Sequence, residues 1–231
     1  MKTFKIGGVH PKDQKLSAGK AIDTLALPKQ AIIPLSQHIG APATPIVAKG
    51  DYVRVGQLIA KASGFMSANV HSPYSGTIEK IDNAIDAWGI ACPSIFIKVE
   101  GDEWMPEINR KDEVIRICNL EPAEIIKRIG DAGIVGLGGA CFPTHVKLTP
   151  PPTAKAEVLI INGVECEPYL TCDHRLMLEH AEEIFIGISI IMKAINVTRA
   201  IVGIECNKKD ENIQNRWCAP KRSKTFSWQS D

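Results

Sequence analysis

The stretch "GLGGACFPTHVKL", residues 136–148, brings three glycines, a phenylalanine, a proline and a lysine into one short piece of chain. Its glycines stand at 136, 138 and 139. A dinucleotide fingerprint requires glycine at its first, third and sixth positions and then a helix, whereas the sixth position is Cys141 and Phe142-Pro143 interrupts any helix. A P-loop ends in Gly-Lys-Ser/Thr, but Lys147 lies between Val146 and Leu148. Neither common phosphate loop fits, yet glycines without Cβ still let a ligand come close to the backbone. The flanks decide the fold. Upstream, "EPAEIIKRIGDAG" (121–133) has apolar residues at helical spacing, with Gly130 and Gly133 at its end. Downstream, "KAEVLIINGVE" (155–165) and "RAIVGIE" (199–205) read as buried parallel strands, and "HRLMLEHAEEIFIGISIIMKAIN" (174–196) as one long amphipathic helix between them. Helix, loop, strand, helix, strand is the order of an α/β domain.

Before residue 100 the pattern is different. "AIIPL", "YVRVGQLIA", "SGTIEKI" and "SIFIKVE" are short β-type runs separated by Gly, Pro, Ser and Asn, which predicts an all-β module. The segment "KGDYVRVGQLIAKASGFMSANVHSPYSGTIEKI" (49–81) is similar to the barrel-sandwich hybrid of lipoyl and biotinyl carrier domains. In a carrier, the hairpin between the two halves presents a lysine for modification. Here that place reads "SANVHSP", without lysine, so the carrier function is not expected, and His71 within it reads as a surface or packing residue.

Composition limits the partners. In 231 residues, 27 Lys and Arg nearly balance 26 Asp and Glu, so no global field draws the chain to nucleic acid or anionic lipid. No run approaches the roughly 18 apolar residues of a membrane span, and the first residues lack the apolar centre of a signal peptide. The expected location is the cytosol, or a membrane reached only through other proteins. The seven cysteines form no Cys-x-x-Cys pair, so neither a disulfide framework nor a metal or iron–sulfur site is expected. Cys166 and Cys172, flanking "EPYLT", and Cys141 are the first thiols to consider as ligands; buried free thiols are the expected state.

Taken with "INGVECEPYLTCDHRLM" (161–177), the glycine stretch resembles the flavin- and NADH-binding domain of the NADH-oxidising subunit of respiratory complex I, whose loops read Gly-x-Gly-Gly-Ala-Gly-Phe-Pro-Thr-x-x-Lys and Asn-x-x-Glu-x-Glu-Pro. With "GGVHPKD" (7–13) and "PLSQHIGAPATPIVAKGDYVRVGQ" (34–57), the set more closely resembles the RnfC family, the C subunits of Rnf electron-transport complexes, over residues 5–205. The resemblance implies an α/β flavin-nucleotide-binding domain, incomplete, preceded by an all-β barrel-sandwich hybrid module. The expected segments are 1–110 for the β module, 111–206 for the N-terminal part of the FMN/NADH domain, and a non-family tail at 207–231 that is mobile.

By the same resemblance, Gly136, Gly138, Gly139 and Lys147 line FMN, Asn162 and Glu165 hydrogen-bond it, Phe142 stacks on the nicotinamide or adenine ring, and Glu167 orients NADH. The implied function is the NADH-oxidising subunit of an ion-translocating NAD:ferredoxin oxidoreductase, peripheral on the cytoplasmic face of the inner membrane. Its partners would be the other Rnf-type subunits, with ferredoxin reached indirectly. The residues also have plainer readings. The glycines serve turns, Lys147 is a solvated charge, Glu165 and Glu167 cap the helix near Asp173, and Asp173 is itself a ready N-cap.

The sequence departs from the complex I pattern at Cys141, where that pattern has glycine, and at Val164, where it has an acidic residue. The family continues with an acidic loop, a β-grasp segment and two Cys-rich cluster motifs that are not found here, and "CNKKDENIQNRWCAPKRSKTFSWQSD" (206–231) lacks core periodicity. Iron–sulfur clusters are therefore expected of the full-length family and not of this chain. The competing expectation is a non-catalytic assembly piece that docks partner subunits without a cofactor.

Overall fold

The computed structural model describes residues 11–87, 89–111, 113–205, 208 and 226–229. By internal contact these fall into two compact units. One comprises Leu25–Ala156 with Lys193–Asn196, the other the described residues of Met1–Thr24, Glu157–Met192 and Val197–Asp231.

In the first unit, strands β1 (Gln30–Pro34), β7 (Ala91–Gly101), β6 (Ser75–Ile85) and β3 (Tyr52–Val53) form an antiparallel sheet in the order β1-β7-β6-β3. A second sheet has the order β2-β4-β5, from Thr44–Pro45, Leu58–Lys61 and Val70–His71. β6 and β7 pair along their full length, and irregular register near Ser75/Gly76 and Ile78/Lys80 bends the ribbon. Strand alternation then sends one set of side chains inward from each sheet. Val53, Ile78, Ile95 and Ile97 from the first sheet meet Ile59, Ala60 and Val70 from the second in one apolar core. Burying an isoleucine completely contributes about 1.5–3 kcal/mol, so these few residues dominate the module's stability.

The same unit contains helix α1 (Pro122–Asp131), with proline in its first turn, Glu124 near its N-terminus and Arg128 in its last turn. Gly133, at φ +67°, ends it in the left-handed conformation, and Gly130 lies in its last turn. The glycine stretch follows and leads into the single turn α2 (Thr144–Lys147).

In the second unit, β8 (Leu159–Gly163) and β9 (Arg199–Ile204) pair in parallel, as their apolar runs suggest, and β10 (Phe226–Gln229) adds antiparallel to β9. Ile160 is nonetheless 68% exposed, so one face of β8 is open. The crossover is two helices, not the single long one expected: α3 (Cys172–Glu179) and α4 (Ala181–Ala194). His180 leaves helical geometry at φ −124°, its carbonyl accepts from the Ile184 N–H, and its Nδ1 lies 3.0 Å from Glu183. It therefore closes one helix and opens the next.

Of the tail expected to be mobile after Glu205, Lys208 is buried and ion-paired and residues 226–229 pair with β9; the rest lies outside the described residues. Among the described residues no helix is long and apolar enough to cross a membrane.

Candidate functional site

The glycine loop is a hairpin with a tight neck. Thr144 N–H donates to the Ile134 carbonyl at 3.0 Å and Gly136 N–H to the Phe142 carbonyl at 2.9 Å, with Val135 bridging Pro143 between them. At the tip, Cys141 N–H donates to the Gly138 carbonyl at 3.0 Å, closing a turn. Cys141 sits at φ +46°, the left-handed region that favours glycine. This is the position at which the complex I pattern carries glycine, so the departure seen in the sequence falls where a side chain strains the backbone.

Two features suit this loop to an anion. A Cβ on Gly138 or Gly139 would meet nothing within 4 Å, and the amides of Leu137, Gly138, Gly139 and Ala140 find no acceptor among the described residues. Lys147 Nζ lies beside Gly136, where an added Cβ would come within 2.9 Å of it and push the ammonium slightly aside. Free amides at an open tip with a cation at the neck are the donor set of a phosphate cradle. Phe142 is half-buried, and its carbonyl holds the neck.

Asn162, Glu165 and Glu167 belong to the other unit, at and beyond the C-terminal end of β8. In open α/β sheets this is the end at which ligands bind. Asn162 Oδ1 accepts from the Val164 N–H at 3.1 Å and turns the chain out of the strand. Glu165 is 1% exposed. Its Oε1 accepts from the Asp173 N–H at 2.8 Å, and its Oε2 from Lys208 Nζ at 3.3 Å, with Lys15 Nζ 4.0 Å away. The carboxylate therefore caps α3 from eight residues upstream, which is the plainer of the two roles expected of it. Asp173, expected as the N-cap, lies inside the helix; Thr171 holds the cap position and makes no side-chain cap bond.

Burial opposes ionisation of Glu165, but the Asp173 amide and the Lys208 and Lys15 ammonium groups outweigh it and hold the carboxyl below its usual range. Asp173 is pushed up by burial and then by the charges of Glu165 and Glu167. The Cys172 thiol is raised by burial and then by Asp173 and Glu165, away from a reactive thiolate. Ligand atoms of Glu165, Cys172 and Asp173 lie within 4.8 Å of one another, but Lys208 already occupies one oxygen of the central carboxylate. The five cysteines within the described residues are free and half-buried or exposed, not buried as expected.

Glu167 is exposed, and its backbone is held by a residue the motifs did not mark. Lys15 Nζ donates to the carbonyls of Glu165 (3.1 Å), Glu167 (2.7 Å) and Leu170 (2.6 Å), using all three of its protons. Gln14 N–H donates to the Pro168 carbonyl, and Ser17 Oγ lies 2.7 Å from Thr171 Oγ1. "GGVHPKD" ends two residues before Lys15, and its presence in the motif set was the only sequence sign that this segment serves the loop.

The family profile described as the RnfC barrel sandwich hybrid domain matches residues 2–102, and the Nuo51 FMN-binding domain matches residues 129–225, past the point where the resemblance read from the sequence stops. The chain belongs to the RnfC family of Rnf-complex proteins. The C subunit of the proton-translocating ferredoxin:NAD(+) oxidoreductase complex of Clostridium ljungdahlii is 47% identical over 214 residues, covering 90% of this chain and 45% of the relative. The C subunit of the ion-translocating oxidoreductase complex of Rhodobacter capsulatus is 46% identical over 213 residues, covering 90% and 40%. That of the Na(+)-translocating ferredoxin:NAD(+) oxidoreductase complex of Acetobacterium woodii is 42% identical over 210 residues, covering 90% and 46%. The chain thus spans less than half the length of these relatives. Its fold is that of a barrel-sandwich hybrid followed by the α/β elements of an FMN-binding domain.

Proposed function

We propose that this chain is the FMN-binding, NADH-oxidising part of an Rnf-type ion-translocating ferredoxin:NAD oxidoreductase, with segments 1–110 and 111–206 as its β and flavin domains. The observation that carries the reading is the loop tip: consecutive amides around Gly138 and Gly139 that have no acceptor among the described residues, with Lys147 over Gly136. Those amides bind a phosphate, and Lys147 neutralises its charge or that of the reduced ring. Phe142 gives an aromatic face to a nicotinamide or adenine ring, Asn162 and Glu165 belong to the flavin side, and Glu167 orients NADH. FMN, when bound, would supply a hydride acceptor that can release electrons singly. The protein's task is position and charge, with no side-chain acid or base needed.

Glu165 serves the flavin side indirectly in this reading, because its oxygens are taken by Asp173 and Lys208 and it fixes the loop that carries Glu167. The other Rnf-type subunits are its partners. They supply the membrane, hold the chain on its cytoplasmic face and carry electrons toward ferredoxin.

The test is uptake of FMN by the purified chain, read as a shift of the visible flavin bands, followed by NADH without oxygen. A folded chain that takes up no FMN is the assembly piece instead.

A further inference from the structure

The loop at residues 62–69, which joins β4 to β5 and runs into the "SANVHSP" stretch, is built into the neighbourhood of the glycine loop. Its own structure is closed. Asn69 Oδ1 accepts from the Ala62 N–H at 2.9 Å, Ser67 Oγ accepts from the Ser63 N–H and donates to the Ala41 carbonyl, and His38 Nε2 accepts from the Ala68 N–H at 3.0 Å. Ser67 and Ala68 are buried.

From that base it grips the glycine loop on both flanks. Upstream, Asn69 Nδ2 donates to the Asp131 carbonyl at 2.9 Å, at the end of α1, and Gly133 packs so closely on the Asn69 backbone that a Cβ there would collide with the carbonyl oxygen. Downstream, His145 Nε2 donates to the Phe65 carbonyl at 3.0 Å, with the two rings edge to face at 6.0 Å. The His145 ring also fills the space beside Gly130. His145 is two residues from Lys147, and Gly133 is three from Gly136. One eight-residue hairpin therefore fixes where the loop leaves α1 and where it enters α2.

We propose that this hairpin, through Asn69 and Phe65, is a positioning element for the glycine loop. This rests on the reading of that loop as the FMN cradle. The amides at residues 137–140 have no protein partner of their own among the described residues, so the tip turn, the neck and its flanks hold their backbone in place.

The experiment uses the whole chain and its His145→Ala, His145→Gln and Asn69→Ala variants, with hydrogen exchange and FMN titration on each. Hydrogen exchange reads the amides that hold the neck and turn, those of Gly136, Cys141 and Thr144. H145A and N69A should exchange these amides several-fold faster while β6 and β7 keep wild-type protection, and FMN should bind about fivefold more weakly, the loss of roughly one hydrogen bond. H145Q restores a donor toward Phe65 and should recover most of both. Unchanged exchange at the neck in H145A and N69A overturns the brace. Faster exchange in the variants, with a wild-type chain that takes up no FMN, supports the brace and overturns the flavin reading of the loop.

Discussion

Lys15 and Glu167, 152 residues apart in the chain, are joined by a hydrogen bond of 2.7 Å from the lysine ammonium to the glutamate's backbone carbonyl. With its bonds to Glu165 and Leu170, the same ammonium gathers three carbonyls of the loop that follows β8. Hydrogen bonds from a charged donor are worth more than neutral ones, and here the donor is mostly covered. Lys15→Met should cost about 2 kcal/mol in urea unfolding and raise the exchange of amides 165–170. Because the loop carries Glu167, NADH affinity should fall more than FMN affinity. A variant within about 0.5 kcal/mol of wild type would show that the clamp does not hold the loop.

Glu165 gives the second unit a pH-dependent component. Its carboxyl lies below the ordinary value of 4.5 in the folded chain, so the unfolded chain binds that proton at higher pH. The stability it brings is present above about pH 4.5 and is lost as pH falls through the folded value. Asp173 runs the other way: its pKa is raised, so its protonation in acid offsets part of that loss. Glu165→Gln should cost about 2 kcal/mol near pH 7, since among the described residues Lys208 then keeps one carboxylate, Glu205, 3.4 Å away. The gap between wild type and variant should narrow as the pH falls below 4.5. A gap independent of pH would mean that Glu165 is not held ionised by these partners.

The sequence carried the elements well where one periodicity ruled. β1, β6 and β7 come from plain β-type runs, α1 from its spacing and its glycine stop, and β8 and β9 from apolar runs of parallel type. The helix break at His180 was not legible, because apolar spacing continues through it and only the backbone shows the change. Glu165 as a cap was open in the sequence, but Lys208 and Lys15 were not, since each meets it from a distant part of the chain. Asn69 was likewise hidden, because the hairpin was notable for the lysine it lacks rather than for the bonds it makes.

Cys141 holds a conformation that suits glycine. Cys141→Gly should therefore stabilise the chain by about 0.5–1 kcal/mol, the relief of left-handed strain less the greater freedom of glycine when unfolded. Cys141→Val, β-branched at the same φ, should destabilise it by more than about 1 kcal/mol. Thermal midpoints of the two variants on opposite sides of wild type are expected; both falling below it would place the strain elsewhere.

Gly138 separates fold from ligand. A Cβ there meets nothing within 4 Å beyond its chain neighbours, so Gly138→Val should leave the unfolding free energy within about 0.5 kcal/mol of wild type while abolishing FMN uptake. Equal FMN affinity in the two proteins would remove the loop tip from the flavin site.

The central claim is that the loop at 136–148 is a flavin cradle serving NADH oxidation. Its most direct measurement is an anaerobic titration of the purified chain with FMN and then NADH, followed in the visible flavin bands. Saturable uptake near one FMN per chain is expected, then bleaching of the bound flavin by NADH. An unperturbed FMN spectrum with the folded chain in excess would contradict it.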